Sequence, residues 1–183
     1  CFFCRRGFVN NCENENGGWA MGCRIDGGQA EYCRIPFADH GLTRIPDHVT
    51  DEDALFTGDI LSTGYWAAKL GEVKPADTVL VLGAGPTGLC TMMCARLYSP
   101  AKIIAIDIDE SRLKLAKEQG LADVVICSVE ETCRRGAEDY ADAAGKVQEY
   151  VVQRVLEESH GRGAAVVSEA AGGTDTFATA WKT

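Results

Sequence analysis

The chain has 183 residues, 46% hydrophobic and 25% charged, and its 18 Lys+Arg against 27 Asp+Glu give a net charge of -9. That length holds one ordinary domain or a domain with an appended lobe, and that composition belongs to a soluble globular chain with a core of its own, which excludes a disordered reading. The acidic balance argues against sequence-independent nucleic-acid binding, which needs a basic footprint, and no apolar run approaches the roughly 20 residues that cross a bilayer.

The chain starts at Cys1 with no charged segment and apolar run of a signal peptide behind it, so either its N-terminus was removed or it is a fragment, and the expected location is cytoplasmic. Nine cysteines are an odd number and cannot all pair within one chain. The first thirty-five residues, rich in Gly, Asn and Cys, read as a loop-rich lobe that needs an external staple. Gln29 to Pro36 alternates enough for a strand, and His40 to Pro46 reads as a second short one. Thr50-Asp-Glu-Asp is an N-cap with an acidic first turn, opening a helix to about Ala68 with a break near Gly58 or Gly64.

After Pro75 the pattern changes. Thr78-Val-Leu-Val-Leu-Gly is a short unbroken run of the kind found in buried parallel strands, and a Gly-rich turn leads into a helix over Leu89 to Leu97. Lys102 to Asp107 reads as a second strand, Glu110 to Gln119 as a helix and Asp123 to Cys127 as a third strand. Glu130 to Ser159 reads as mostly helix with an interruption near Gly145; Ala164 to Ser168 makes a fourth strand and Asp175 to Lys182 a last helix. The alternation predicts an α/β fold, a Rossmann-type parallel sheet incomplete at its C-terminal half.

Two motifs carry chemistry. Cys1, Cys4 and Cys12 form a C-x2-C-x7-C array able to wrap one tetrahedral zinc ion, which contributes folding energy where the segment has no core. The fourth ligand would lie before Cys1 or be Cys23 or Cys33; free or disulfide-bonded loop cysteines are the plainer reading. Cys90 and Cys94 read as core thiols on a helix, while Cys127 and Cys133 have no partner spacing. Gly83-Ala-Gly-Pro-Thr-Gly88 is a GxGxxG that follows a strand and opens a helix. Gly83 would make the tight turn, Gly85 would let backbone approach a pyrophosphate, and Gly88 would bring helix and strand together. Pro86 has no N–H, so Thr87 and Gly88 are the anion donors of that helix end. Asp107, nineteen residues after Gly88, would accept the ribose hydroxyls of NAD and repel a 2′-phosphate. A Gly-rich turn serving another nucleotide or a methyl donor is the alternative.

Taken together, Cys1 to Cys12, Gly27-Gly-Gln-Ala-Glu-Tyr, Gly58-Asp-Ile-Leu-Ser-Thr-Gly-Tyr and Val79-Leu-Val-Leu-Gly-Ala-Gly-Pro-Thr-Gly resemble the zinc-dependent medium-chain alcohol dehydrogenases in order and spacing, near their secondary-alcohol and formaldehyde dehydrogenase branches. The resemblance implies that residues 1–58 are part of a GroES-like, zinc-lobed catalytic domain, that 59–74 form a connecting helix, and that 75–183 are a truncated NAD-binding Rossmann domain. It makes Cys1, Cys4 and Cys12 the second, third and fourth ligands of a structural zinc whose first ligand would sit three residues before Cys1. It assigns Asp59 as a ligand of a second, catalytic zinc, Thr63 as a nicotinamide contact, and Arg112 as a basic side chain beside the adenosine ribose.

The implied activity is hydride transfer between a small primary or secondary alcohol, or a polyol, and NAD, giving an aldehyde or ketone, in a homodimer or homotetramer when full length. Partners would be the small-molecule alcohol and carbonyl product, with no nucleic acid and no membrane. The family's other catalytic zinc ligands would precede this chain, so the fragment alone is expected to be inactive. His40, His48 and His160 read as loop or surface residues, and Glu130 to Gly145 as a solvated helical insertion. The alternatives are a non-catalytic nucleotide-binding relative and a Rossmann-type methyltransferase with a zinc knuckle.

Overall fold

Two units divide the chain, Cys1–Thr50 and Asp51–Thr183. They are seen in a computed structural model that describes residues 1–128 and 140–183.

The first unit is nearly devoid of regular structure. Two 3-10 turns, Cys4–Arg6 and Val9–Asn11, lead into loop, and one short helix, α1 (Ala38–Gly41), follows. Ala20 is its one buried apolar side chain among the described residues, whereas Trp19, Tyr32 and Leu42 are exposed. The strands expected over Gln29 to Pro36 and His40 to Pro46 do not form, and His40 lies within α1. A strand is held by a partner's hydrogen bonds, and the only pairing in this unit is an isolated bridge between Met21 and Ile25. Alternation without a neighbour therefore stays loop, with bends over 28–32.

In the second unit, α2 (Asp51–Thr57) and α3 (Ile60–Leu70) are separated at Gly58 and Asp59. The expected break falls there and not at Gly64, which lies inside α3. There it serves packing: a Cβ on Gly64 would come within 2.7 Å of the Cys90 and Thr91 backbone. The following elements are β1 (Thr78–Leu82), α4 (Pro86–Arg96), β2 (Lys102–Asp107), α5 (Glu110–Glu118), β3 (Val124–Cys127), α6 (Tyr140–Glu158), β4 (Val166–Glu169) and α7 (Thr174–Lys182). α4 starts at Pro86 rather than Leu89 because Pro at the first helical position has the right φ and no N–H to satisfy. α6 runs unbroken through Gly145, against the expected interruption. Its Val151 and Val155 are buried on the sheet, and such packing outweighs the roughly 1 kcal/mol that glycine costs in a helix. Cys133 and most of the expected 130–145 insertion lie outside the described residues.

The four strands are parallel in the order β3-β2-β1-β4. Val79 and Val81 face the α4 and α5 side with Met92, Ile103 and Leu113. Leu80 and Leu82 face the α6 and α7 side with Ile104, Ile106 and Val155. β1 is thus covered on both faces, which is why its sequence is an unbroken apolar run. No helix among the described residues is long and apolar enough to cross a membrane.

Asp123 ties the β2 and β3 edge together. Arg96 donates to its Oδ1 at 2.8 Å and the Ile103 N–H donates to Oδ2 at 2.7 Å. Burial pushes this carboxyl up, but the Arg96 hydrogen bond, the Ile103 N–H and the Arg96 and Lys117 charges outweigh it and hold the group below its ordinary value. A lowered carboxyl contributes stability that is present above the unfolded value, about pH 3.9, and is lost as pH falls through the folded value. Asp123→Asn is therefore expected to lower the urea midpoint at neutral pH and to flatten its fall between about pH 5 and 3. Equal acid slopes in the two proteins would refute this role.

Candidate functional site

The C-terminal strand ends meet where the strand order reverses, between β1 and β4, which is where open α/β sheets bind ligands. Leu82 pairs with Ile106 on one side and Glu169 on the other. The chain leaves β1 at Gly83, whose N–H donates to the Ile106 carbonyl at 2.7 Å, while the Ala170 N–H donates to Leu82 at 2.8 Å. Gly83 has φ +97°, and a Cβ there would lie 2.8 Å from the Ala170 and Ala171 backbone. Gly88 sits beneath Gly83, whose carbonyl oxygen a Cβ on Gly88 would overlap. Gly85 differs from both: its Cβ would meet nothing within 4 Å, leaving open space above the loop. The Thr87 and Gly88 N–H groups at the start of α4 have no intrahelical acceptor and face this end of the helix.

Asp107 ends β2 with a side chain only 6% exposed. Its Oδ2 accepts the Ala84 N–H at 2.6 Å and its Oδ1 the Asp109 N–H at 2.8 Å, so the carboxylate is fixed against the glycine loop. Arg112 flanks it, 4.0 Å from Asp107 and 3.7 Å from Asp109. Asp109 caps α5 and is held below its ordinary value first by the Ser111 hydroxyl and then by the Ser111 N–H. A dinucleotide fits these residues: a glycine without a neighbour beside a helix N-terminus, and a buried carboxylate one strand away. The structure brings Gly83, Gly85, Pro86, Thr87, Gly88, Asp107 and Arg112 to one edge.

Asp59 is the exposed residue preceding α3; its carbonyl accepts the Thr63 N–H and the Ser62 hydroxyl, each at 2.8 Å. Thr63, also exposed, lies next to Gly64, where α3 crosses α4. Among the described residues no group of three metal ligands gathers at Asp59. A single carboxylate does not hold zinc without further ligands. Cys94 is buried and burial pushes its thiol up, as suits an inert core thiol; Cys90 is half-buried with the same direction of shift.

In the first unit the Sγ atoms of Cys1, Cys4 and Cys12 all lie within 4.8 Å of one another. Zn–S bonds of about 2.3 Å place tetrahedral sulfurs roughly 3.8 Å apart, so the three fit three corners of one site. Cys23 and Cys33 are not part of this group, and the Cys33 thiol contacts Met21 Sδ at 3.5 Å instead. The Cys4 thiol is pushed up, first by its hydrogen bond with Cys12. Buried Gly17 backs the cluster: a Cβ there would lie 2.7 Å from Cys12 Sγ. Arg24 holds that loop by donating to the Glu15 carbonyl at 3.0 Å and the Gly17 carbonyl at 2.9 Å. Gly17→Ala is expected to weaken zinc binding about tenfold in chelator competition, because Cys12 Sγ must move; unchanged affinity would show that the contact does not matter.

Sequence reasoning missed Gly17, Gly64 and Glu169. The signal for Glu169 was available as an acidic residue at a strand end before Ala-Ala-Gly-Gly-Thr. Those for the two glycines were not, since the atoms they meet are set by folding.

The sequence profile of the zinc-binding dehydrogenase family matches residues 86–183. An alcohol dehydrogenase of Cupriavidus necator is 48% identical over 109 residues, covering 60% of this chain and 30% of that protein. Among solved structures, a zinc-dependent alcohol dehydrogenase 2 from Streptococcus pneumonia in its apo form superposes with TM-score 0.77 at 36% identity, covering 100% of this chain and 46% of that one. An alcohol dehydrogenase from Thermus sp. ATN1 gives TM-score 0.75 at 34% identity, with 100% and 47% covered. The chain thus spans from about a third to half the length of these relatives.

Proposed function

The chain belongs to the zinc-binding dehydrogenase family, and from that premise we propose that it is the dinucleotide-holding part of an NAD-linked alcohol dehydrogenase. The observation that carries this reading is the buried Asp107 carboxylate, hydrogen-bonded to Ala84 beside the open space at Gly85. Gly83, Gly85, Pro86, Thr87 and Gly88 form the pyrophosphate cradle. Asp107 accepts the adenosine ribose hydroxyls and opposes a 2′-phosphate; Arg112 flanks the same ribose.

Residues 75–183 form the NAD-binding domain, 59–74 the connecting helix and 1–58 part of the catalytic domain, with Cys1, Cys4 and Cys12 on a structural zinc. The reaction is hydride transfer from a small primary or secondary alcohol. NAD, when bound, would supply the hydride acceptor that turns the alcohol into an aldehyde or ketone. Thr63 contacts the nicotinamide. Asp59 would offer one carboxylate ligand to a catalytic zinc, together with ligands from outside the described residues.

Titrating the chain with NADH and with NADPH, followed by nicotinamide fluorescence, tests this reading. NADH should bind, and NADPH at least about tenfold more weakly. No NADH binding, or equal binding of the two, overturns it.

A further inference from the structure

A second acidic residue at the strand edge has a different task from Asp107. Glu169 ends β4, and its Oε1 accepts the Ala171 N–H at 3.0 Å and the Gly172 N–H at 2.8 Å. Thr176 Oγ1 lies 2.8 Å from the same oxygen and 2.6 Å from the Gly173 carbonyl, so its one proton serves either. The carboxylate thus closes the Ala170–Gly173 loop on itself, with Gly172 at φ +77° making the turn. The outer side of that loop is the wall that Gly83 touches: Ala170 and Ala171 backbone atoms stand 2.8 to 2.9 Å from where a Gly83 Cβ would be.

Strand order then decides which half of a ligand this wall serves. With β2 and its Asp107 on one side of β1 and β4 on the other, a dinucleotide whose adenosine ribose meets Asp107 and whose pyrophosphate crosses the glycine loop brings its nicotinamide half over β4. We propose that Glu169 is a positioning residue for the nicotinamide half of the crevice, acting by fixing the Ala170–Gly173 loop against Gly83. It touches no reacting atom. Its role is that of a hydrogen-bond acceptor and not of a charge, because two backbone N–H groups converge on one oxygen, which an amide oxygen can replace.

This inference rests on the NAD-binding reading, and one experiment separates the two. NADH and AMP are titrated calorimetrically into the chain and into two variants. Glu169→Gln removes the charge and keeps an acceptor oxygen at the same reach; Glu169→Asp keeps the charge and withdraws the acceptor by one methylene. Glu169→Gln should bind NADH within about threefold of the parent, whereas Glu169→Asp should bind it about tenfold more weakly, with AMP changed less than about twofold in both. A parent chain that binds neither NADH nor AMP overturns the underlying reading. A parent that binds both while Glu169→Asp loses nothing overturns the inference alone. So does Glu169→Gln falling as far as Glu169→Asp, which would make the charge the active feature. AMP affinity falling in parallel with NADH, through unfolding or otherwise, overturns it too, since a loop over β4 has no contact with the adenosine half.

Discussion

Gly88→Ala is expected to destabilise the chain by about 3 kcal/mol or more and to abolish NADH binding, because the new methyl would overlap the Gly83 carbonyl oxygen. That atom is backbone just past a strand buried from Val79 to Leu82, so it cannot swing aside as a flexible side chain would. Relief requires moving α4 away from β1, and with it the contacts of Thr91, Met92, Cys94 and Ala95, all buried. The control is the same substitution two residues into the motif. Gly85→Ala meets nothing within 4 Å and should unfold at the parent's urea midpoint, yet lose dinucleotide affinity because its methyl occupies the open space. A Gly88→Ala chain with the parent's midpoint, or a Gly85→Ala chain with the parent's NADH affinity, would show that the two glycines have been given the wrong tasks.

Asp107→Ser should weaken NADH binding about thirtyfold, some 2 kcal/mol, while weakening NADPH much less, so that selectivity falls toward unity. Both effects follow from one carboxylate. It supplies the acceptors for two ribose hydroxyls, and it is the negative charge that a 2′-phosphate would meet at a side chain only 6% exposed, where water screens little. The substitution also leaves the Ala84 and Asp109 N–H groups without their present acceptor, which costs about 1 to 3 kcal/mol of stability. Affinities are therefore compared where the melting curve shows the variant folded. Arg112 keeps its contact with Asp109 and so remains near the ribose position, available to a phosphate. Retained preference for NADH in the folded variant would remove Asp107 as the discriminating group.

Acidic residues at three strand ends illustrate how position changes the task of one side-chain type. Asp107 and Glu169 both accept backbone N–H groups at the C-terminal edge of the sheet, one fixing the glycine loop and the other the loop after β4. Asp123, at the opposite end of β3, is paired with Arg96. Asp107 was the one read as functional from sequence, since it stands at a fixed distance from a glycine motif that names its ligand, whereas Glu169 has only its place at a strand end.

What the sequence determined by itself was whatever depends on short stretches of chain. Val79 to Leu82 read as a doubly covered strand, because a four-residue apolar run has no polar face to turn to water. Gly83, Gly85 and Gly88 marked a strand-to-helix turn, and Asp107 fell at the end of the next strand, because each is set by the length of one strand and one helix. The same local chemistry placed Cys1, Cys4 and Cys12 together, since two short 3-10 turns, Cys4–Arg6 and Val9–Asn11, coil the stretch between the first and the last of them. The tertiary structure alone decided whatever needs a partner far along the chain. Gln29 to Pro36 alternates like a strand but has no neighbour to complete its ladder; Gly64 looked like a helix break until Cys90 and Thr91 came to lie against it; Gly145 stayed helical because α6 lies on the sheet. Glu169 acquired a role only when folding set the loop it holds against Gly83, eighty-six residues earlier in the chain.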